Sequence, residues 1–510
     1  MERPNFSTTE SEITETTERL RKFGLQIDKI KMSNGGNDAL ASIITTIEGL
    51  IHEGELNLFN QLFSYYLLGQ AYCTQKMIST DPSSAQFNNK LIWKEVFCYR
   101  KSLLLANEVY KKKLIALIPN ALEFEYQSLV HLGNVYDHMG RFQDALESYR
   151  QAATVKPKDY MWEFNMGFAL GGTHGYYEPR AERFVLAWAK ALLAKYQSKP
   201  ETSMSALELY ARIKDWPTPD VSEDKKVAYS ESEEDSYNRW VNENALRLNA
   251  YNDINPHSEL SQDDSLYFNG VFTPKGEQEH WVRLFHMMNE IKQEYVSARY
   301  MLYYYFYKSG RPHNSDKDVK LADVYDLSNY SFYLESAKSA FRALYSLLDK
   351  IAFALNDYLD LGIPGAQVSF SKMWYENPKL KTIRPKILNY DTLISLAGLL
   401  FIRNDIFGGS ESYLQAEETK VLNSVRNAME HRAIIITDDG VMEDRGSVLF
   451  ISRGEFENVA MNLIKTVRQA IFCFVNAVNH IEYDRKLSIQ KDGGFIMPQE
   501  IDAVKDDEKI

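Results

Sequence analysis

Cysteine is scarce in this sequence. Of 510 residues, only Cys73, Cys98 and Cys473 are cysteines. They form no Cys-x-x-Cys pair and no even-numbered set, which argues against a disulfide framework and against a structural zinc site. A reducing compartment suits such a chain, so we expect a cytoplasmic location. We also expect no metal ion and no other cofactor.

Long hydrophobic runs and an excess of basic charge are missing as well. The longest apolar runs, near Leu393–Ile402 and Ala470–Val478, are too short to span a bilayer, so we expect no membrane partner. Residues Met1–Arg19 are rich in Ser, Thr and Glu and contain no apolar stretch, so no secretory signal is visible. The net charge of −12 argues against a broad basic face that coats nucleic acid, although it leaves room for a small basic site.

Proline and glycine are few, at 15 and 25 residues, which favours long helices over many short strands. With 45% hydrophobic and 13% aromatic residues, the chain has ample core material for two or three domains. We predict a mainly all-α protein. Its organisation is a disordered tail over 1–20, helical repeats over 21–215, an acidic linker over 216–275, a helical bundle over 276–490 and a C-terminal tail over 491–510.

The clearest repeat unit runs from Tyr126 to Asp159. Small residues at Gly133, Ala145 and Ala152 would let two helices of a hairpin approach closely, and Gly140-Arg141 would make the turn. Larger residues fill the gap between the helices at Leu132, Tyr136 and Tyr149, and Pro157 ends the unit. This pattern resembles a tetratricopeptide repeat, and degenerate copies carry Leu68-Gly69 and Met166-Gly167. The resemblance covers roughly Leu62 to Lys199 and implies a helical solenoid that binds an unidentified protein or peptide.

The segment from about Trp216 to Lys275 changes character. Pro217, Pro219 and the acidic run from Glu231 to Asp235 indicate a linker. We expect a short helix over Tyr237 to Leu248, and we expect the polar remainder to lie on the protein surface.

Beyond this linker, apolar spacings of three and four residues predict four bundle helices. They span about Glu277 to Lys308, Tyr330 to Leu361, Gln415 to His431 and Glu455 to Tyr483. An insertion adds a further helix over Asp391 to Asp405. Two runs rich in β-branched residues, 433–437 and 447–451, flank a polar turn and predict a small β-hairpin.

The third bundle helix ends in Arg426-Asn427-Ala428-Met429-Glu430-His431. Asn427 and His431 are four residues apart and share a face, whereas Arg426 lies on the neighbouring face, about 7.5 Å from His431 along the axis. Arginine binds phosphate in a bidentate manner, and histidine transfers protons near neutral pH. The helix dipole favours an imidazolium at this C-terminal end. These residues are the candidate catalytic group.

The motif and its bundle resemble the HEPN superfamily, in which a four-helix bundle carries an Arg followed four to six residues later by a His. The resemblance covers roughly residues 277 to 485. It implies metal-independent RNA cleavage that leaves a 2′,3′-cyclic phosphate. Arg426 would stabilise the phosphorane, Asn427 would position the reacting groups, and His431 would be the general acid or base. It also implies a homodimer with one composite site, and a role in prokaryotic antiviral defence or toxin-type growth arrest.

Two alternatives remain open at the sequence level. Arg426 and His431 are also suited to capping carbonyls at a surface helix end. Alternatively, the bundle is a non-catalytic dimerisation or nucleotide-binding module attached to a repeat-based interaction scaffold.

The segment from Ser371 to Lys386 is the most basic stretch of the chain. Cationic and aromatic side chains together suit a track for single-stranded RNA, and a solvated loop is an equal alternative. The candidate RNA-binding residues are Lys372, Trp374, Lys379, Lys381, Arg384 and Lys386, with Arg403 at the end of the inserted helix.

Overall fold

The structure of the chain is a computed structural model. The structure describes residues 10–33, 35–79, 90–114, 120–172, 179–195, 204–269, 271–273, 278–308, 310, 312–322, 326–377, 382–390, 393–408, 417–438, 440, 442–489 and 495–497. These residues are mostly helical, as the composition predicts. They divide into two compact units: the first comprises Met1–His138, Asp144–Ala169 and Ala191–Tyr210, and the second comprises Met139–Gln143, Leu170–Lys190 and Ala211–Ile510.

Helices follow one another along the N-terminal part of the chain. They are α1 (Glu10–Ser33), α2 (Asn37–Glu53), α3 (Leu58–Ser79), α4 (Lys90–Lys111), α5 (Ala121–His138), α6 (Phe142–Val155), α7 (Tyr160–Gly172), α8 (Pro179–Ala194) and α9 (Met204–Ile213). Helix α1 begins at Glu10, inside the predicted tail, and Leu20 on it is fully buried. The tail prediction is therefore wrong for residues 10–20, because apolar residues at helical spacing gave this segment a face to bury.

Helices α5 and α6 form the hairpin that the clearest repeat unit predicts. A Cβ added at Gly133 would clash with the ring of Tyr149, so only glycine lets the two helices approach this closely. Ala145 and Ala152 are fully buried. The hairpin is thus present, whereas its membership of a tetratricopeptide solenoid stays a prediction.

The acidic linker prediction is wrong for much of 216–275. Helix α10 (Glu233–Glu243) and the turns after it pack within the second unit, where Val241, Leu248 and Tyr251 are fully buried. Two buried ion pairs also hold this segment: Arg299 contacts Asp264 at 2.7 Å, and Arg468 contacts Asp253 at 2.7 Å. Sequence composition missed this because the buried apolar residues are interspersed among surface acids.

Four long helices of the second unit match the predicted bundle. They are α11 (Gln278–Lys308), α12 (Phe332–Tyr358), α15 (Glu417–His431) and α16 (Arg453–Ile489). The insertion adds α13 (Pro385–Leu388) and α14 (Ile394–Phe407). Helix α16 is the central element: Leu463, Val467, Ile471 and Phe474 are fully buried on it.

Small β-sheets complete the second unit. Their strands are β1 (Val271–Thr273), β2 (Ser328–Asn329), β3 (Tyr375–Asn377), β4 (Thr382–Ile383), β5 (Ala433–Thr437), β6 (Glu443–Asp444), β7 (Val448–Ser452) and β8 (Phe495–Met497). The largest sheet has the order β2-β5-β7-β6, β1 pairs with β8, and β3 pairs with β4. Strand β8 lies inside the predicted C-terminal tail, so that prediction is wrong for 495–497.

The predicted hairpin between 433–437 and 447–451 is also wrong. Strands β5 and β7 are parallel, and the antiparallel partner of β7 is the short strand β6. The parallel register places Ile434 beside Leu449 and Ile436 beside Ile451, and all four side chains are buried. The apolar faces of the two strands therefore lie on the same side of the sheet.

Candidate active site

Helix α15 presents the candidate catalytic residues, and its position is set by its apolar stripe. Leu422, Val425 and Ala428 are fully or almost fully buried. Because these residues face the core, Asn427 and His431 lie on the opposite, exposed side of the helix. The helix ends directly before β5, so the motif stands at its C-terminal end.

Arg426 lies at the boundary between the two sides of the helix and is partly buried. Its guanidinium carbon is 5.3 Å from the ring centroid of Tyr345 on α12. Its Nη1 donates a hydrogen bond to Oδ1 of Asn427 at 3.1 Å. The arginine is therefore held by an aromatic face and a neighbouring amide.

A cavity of about 140 Å³ adjoins Arg426. The α12 residues that line it are Phe341 and the polar residues Arg342, Tyr345, Ser346 and Asp349, and the α15 residues are Arg426, Met429 and Glu430. Arg342 is itself tied to α15, because its Nη2 donates to the backbone oxygen of Met429 at 3.1 Å. The polar α12 residues were not among the site residues predicted from the sequence. The signal that could have shown them is their spacing, because Arg342, Tyr345, Ser346 and Asp349 lie at positions i, i+3, i+4 and i+7 of an otherwise apolar helix.

Asp349 is a partly buried carboxylate below Arg426. Burial raises its pKa above the usual range, and the backbone N–H of Phe370 and the charge of Arg426 oppose that rise. The N–H of Phe370 donates to Oδ1 of Asp349 at 2.7 Å. Burial also raises the pKa of Tyr345, so this phenol stays neutral at physiological pH.

His431 is exposed and has no hydrogen-bond or ion-pair partner among the described residues. Arg432, the next residue, holds the end of the helix in place. Its Nη1 donates hydrogen bonds to Oδ1 of Asp444 at 2.7 Å and to the backbone oxygen of Gly446 at 2.6 Å. His431 thus extends into solvent from a helix end that is anchored to the strand region.

Arg426 and His431 do not meet in one cavity within the chain. They are five positions apart on the helix, which corresponds to a rotation of about 140° around the axis. Arg426 lines the cavity, and His431 is not among its lining residues. The structure brings Asn427 and His431 onto one face and places Arg426 at its edge.

The RNA-track prediction is wrong for Trp374. This side chain is fully buried, and its indole N–H donates to the backbone oxygen of Phe370 at 2.8 Å. The ring also packs against that of Phe370, with centroids 6.1 Å apart. An indole inside the core cannot stack on a nucleobase. Met373 and Tyr375 beside it are buried as well, so this part of the segment packs into the core.

Arg403 is likewise a structural residue. It is 9% exposed, and its guanidinium donates to the backbone oxygens of Ser371 and Gly408 and to Oδ1 of Asn404. It also lies over the ring of Tyr375 at 5.1 Å. These contacts correct the RNA-binding prediction for this residue, because they leave it buried and bonded to the protein.

The other members of the track have different positions. Lys372 is exposed, Arg384 donates to the backbone oxygen of Met373 at 2.9 Å, and Lys386 pairs with Asp360 at 3.0 Å. Lys379 and Lys381 lie outside the described residues. An RNA track here stays a prediction for the lysines and Arg384.

The described residues include no group of three or more His, Cys, Asp or Glu side chains arranged to hold a metal ion. Among the described residues, no helix combines the length and the apolar character that a membrane span requires.

A known protein family matches part of this chain. The model of the LA2681-like HEPN family matches residues 276–481, a range that contains α11, α12, α15 and most of α16. Neither the curated proteins nor the solved structures gave a match. The matched range holds the predicted bundle and the Arg426–His431 motif, and the second unit of this chain therefore contains a HEPN superfamily domain.

Proposed function

We propose that this protein is a metal-independent endoribonuclease whose site includes Arg426, Asn427 and His431. The observation that carries the proposal is the exposed His431 at the end of α15, which has no hydrogen-bond or ion-pair partner among the described residues. It lies five positions after a side chain of the phosphate-binding type, within a matched HEPN domain. An exposed imidazole without a structural partner is available for proton transfer.

The proposed reaction is an internal transesterification of RNA. The ribose 2′-oxygen attacks the adjacent phosphorus, its proton leaves, and the bond from phosphorus to the 5′-oxygen of the next nucleotide breaks. The products are a 2′,3′-cyclic phosphate and a 5′-hydroxyl. His431 moves a proton at the attacking or leaving oxygen, and Arg426 stabilises the charge that builds on the phosphorane. Asn427 orients Arg426 through the hydrogen bond between them.

The site needs a second copy of the chain in this proposal. Arg426 and His431 face different directions within one protomer, so a cleft that uses both is best formed by two copies of α15 facing each other. A homodimer through the HEPN domain would supply one composite site. The biological role we propose is an RNA-cleaving effector in prokaryotic antiviral defence or growth arrest, located in the cytoplasm and regulated through the N-terminal helical repeats.

The test uses purified protein, single-stranded RNA and EDTA. We expect cleavage in EDTA, and we expect His431→Ala to lower the rate by at least about 100-fold. His52 supplies a matched control, because it is also an exposed histidine in the last turn of a helix. His52→Ala should keep the wild-type rate. Cleavage that persists unchanged in His431→Ala would overturn the assignment.

A non-catalytic interaction scaffold is the second candidate. It is favoured by the separation of Arg426 and His431 within one chain, and by the fit of Arg426 against Tyr345, which by itself is a structural contact. In this case the repeats bind a protein or peptide, and the bundle dimerises or binds a nucleotide. This candidate predicts no RNA turnover by the wild-type protein and no change of phenotype on Arg426→Ala at equal stability.

A further inference from the structure

Tyr345 is the side chain that the HEPN domain places against the candidate phosphate-binding arginine. It stands on α12 beside the fully buried Phe341, Leu344 and Leu348, so its backbone is fixed by the core. Its own ring is only partly buried and lies at the side of α12 that faces α15. Tyr345 therefore joins a rigid helix to the edge of the site.

The ring of Tyr345 is held on two further sides. Its hydroxyl lies 3.5 Å from Oδ1 of Asn423, and its ring meets that of Phe407 edge-on at 6.1 Å. The amide nitrogen of Asn423 donates to the backbone oxygen of Ile406, which fixes the Asn423 side chain in turn. With these contacts the ring presents one constant face to Arg426.

Arg426 has a long side chain with many rotamers, and these must be restricted for it to meet a phosphate in one geometry. The ring of Tyr345 restricts it on one side, and Oδ1 of Asn427 accepts one N–H on another. The remaining guanidinium N–H groups have no acceptor among the residues that the structure describes. They are the donors that a phosphate would take.

We propose that Tyr345 is a positioning residue that holds the guanidinium of Arg426 in the orientation needed to bind the scissile phosphate. This inference rests on the proposed ribonuclease function and adds a residue to its site. The guanidinium carbon lies over the ring of Tyr345, and an arginine held by a ring face can still offer its N–H donors to a phosphate. Arg342, the other arginine of the cavity, is less suited to this role because it is bonded to the carbonyl oxygen of Met429.

The first experiment separates kcat from KM for single-stranded RNA. Tyr345→Leu removes the ring face and should lower kcat by about 10- to 100-fold, because a misplaced arginine loses contacts that strengthen in the transition state. Tyr345→Phe keeps the face and should stay within about two-fold of the wild type. A wild-type kcat in Tyr345→Leu, or an equal loss in both variants, would overturn the proposal.

The structure offers a matched control on the same helix. Tyr358 also carries an arginine over its ring, with Arg485 at 5.2 Å, and its hydroxyl donates to Glu482 at 2.6 Å. Tyr358→Leu should lower the thermal midpoint while leaving kcat at the wild-type value. If Tyr358→Leu lowers kcat as much as Tyr345→Leu does, the Tyr345 effect is a general loss of stability and the proposal fails.

A second measurement tests the contact between Tyr345 and Arg426 in the wild-type protein, without RNA cleavage as the readout. In wild-type protein with labelled arginine, the Arg426 side-chain signals, assigned by their loss in Arg426→Lys, should show an NOE to the ring protons of Tyr345. Absence of that NOE overturns the positioning role. The NOE together with no RNA cleavage by the wild type instead overturns the proposed function.

Discussion

At the scale of single residues, side-chain chemistry identified the motif but did not indicate burial. Asn427 and His431 are exposed, as a catalytic group requires, and their shared face follows from helical spacing alone. Trp374 and Arg403 have residue types that suit RNA binding, and the structure buries both. The sequence could not separate these cases, because burial depends on which elements pack on a segment and not on the segment itself.

Trp374 should contribute to stability. Trp374→Ala should lower the free energy of unfolding by about 3–5 kcal/mol, because it removes a fully buried indole and leaves a cavity. Urea denaturation measures this change. Lys372→Ala, at an exposed neighbour, should change stability by at most about 0.5 kcal/mol. Equal stability of Trp374→Ala and the wild type would show that the indole is not part of the core.

Gly140 occupies a backbone position that we expect to require glycine. Its φ of 71° favours glycine, and an added Cβ would clash with the backbone oxygen of Ile394. Gly140→Ala should therefore destabilise the protein by more than about 1 kcal/mol. Gly49 lies inside α2 with open space around it, so Gly49→Ala should stabilise by about 0.5–1 kcal/mol. Thermal unfolding compares the two, and effects of the same sign would contradict this explanation.

At the scale of elements, apolar periodicity predicted the four bundle helices, and the structure has helices at all four places. This succeeded because a helix buries residues three and four apart, and that pattern is local. Strand pairing was not predictable in the same way. The runs around Ile434 and Leu449 indicated strands, but not the direction in which the strands pair. The neighbouring strands β2 and β6 are too short to give a pattern of their own.

Asp264, in the segment before the bundle, predicts how the free energy of unfolding depends on pH. Burial alone would raise the pKa of Asp264, but contacts with Arg299, with Arg247 and with the N–H of Leu248 hold it well below the usual range. The folded state thus binds the proton less tightly than the unfolded state. The resulting stability is complete above the unfolded pKa of about 3.9 and is lost as the pH falls.

We expect the free energy of unfolding to fall below about pH 4 by up to about 1.4 kcal/mol per pH unit from Asp264. Asp264→Asn should remove this part of the dependence and should lower stability at neutral pH, because it leaves Arg299 buried without its carboxylate. Urea unfolding at pH 3 to 7 measures both. The same acid slope in Asp264→Asn and the wild type would disprove the assignment.

At the scale of the whole molecule, Arg426 and His431 face different directions within one chain. This follows from helix geometry: Arg426 and His431 are five positions apart, which places them on different sides of α15. The sequence predicted the two residues, and the HEPN resemblance implied a dimer. Residue spacing alone could not predict a second protomer or where it binds.

Mixed dimers test that composite site. Arg426→Ala and His431→Ala should each be inactive alone. After unfolding and refolding together in equal amounts, about half of the dimers should carry one intact Arg426 and one intact His431. We expect the mixture to recover part of the wild-type cleavage rate. A mixture that stays as inactive as its components, while mass measurement shows mixed dimers, would contradict a site shared between protomers.

The chemical identity of the RNA ends tests the central claim most directly. Wild-type protein should cut single-stranded RNA in EDTA, and mass spectrometry of the fragments should show 2′,3′-cyclic phosphate and 5′-hydroxyl ends. These ends should be absent after incubation with His431→Ala and present with His52→Ala. Fragments with 3′-hydroxyl and 5′-phosphate ends, or cyclic phosphate ends that persist in His431→Ala, would contradict transesterification by the Arg426–His431 motif.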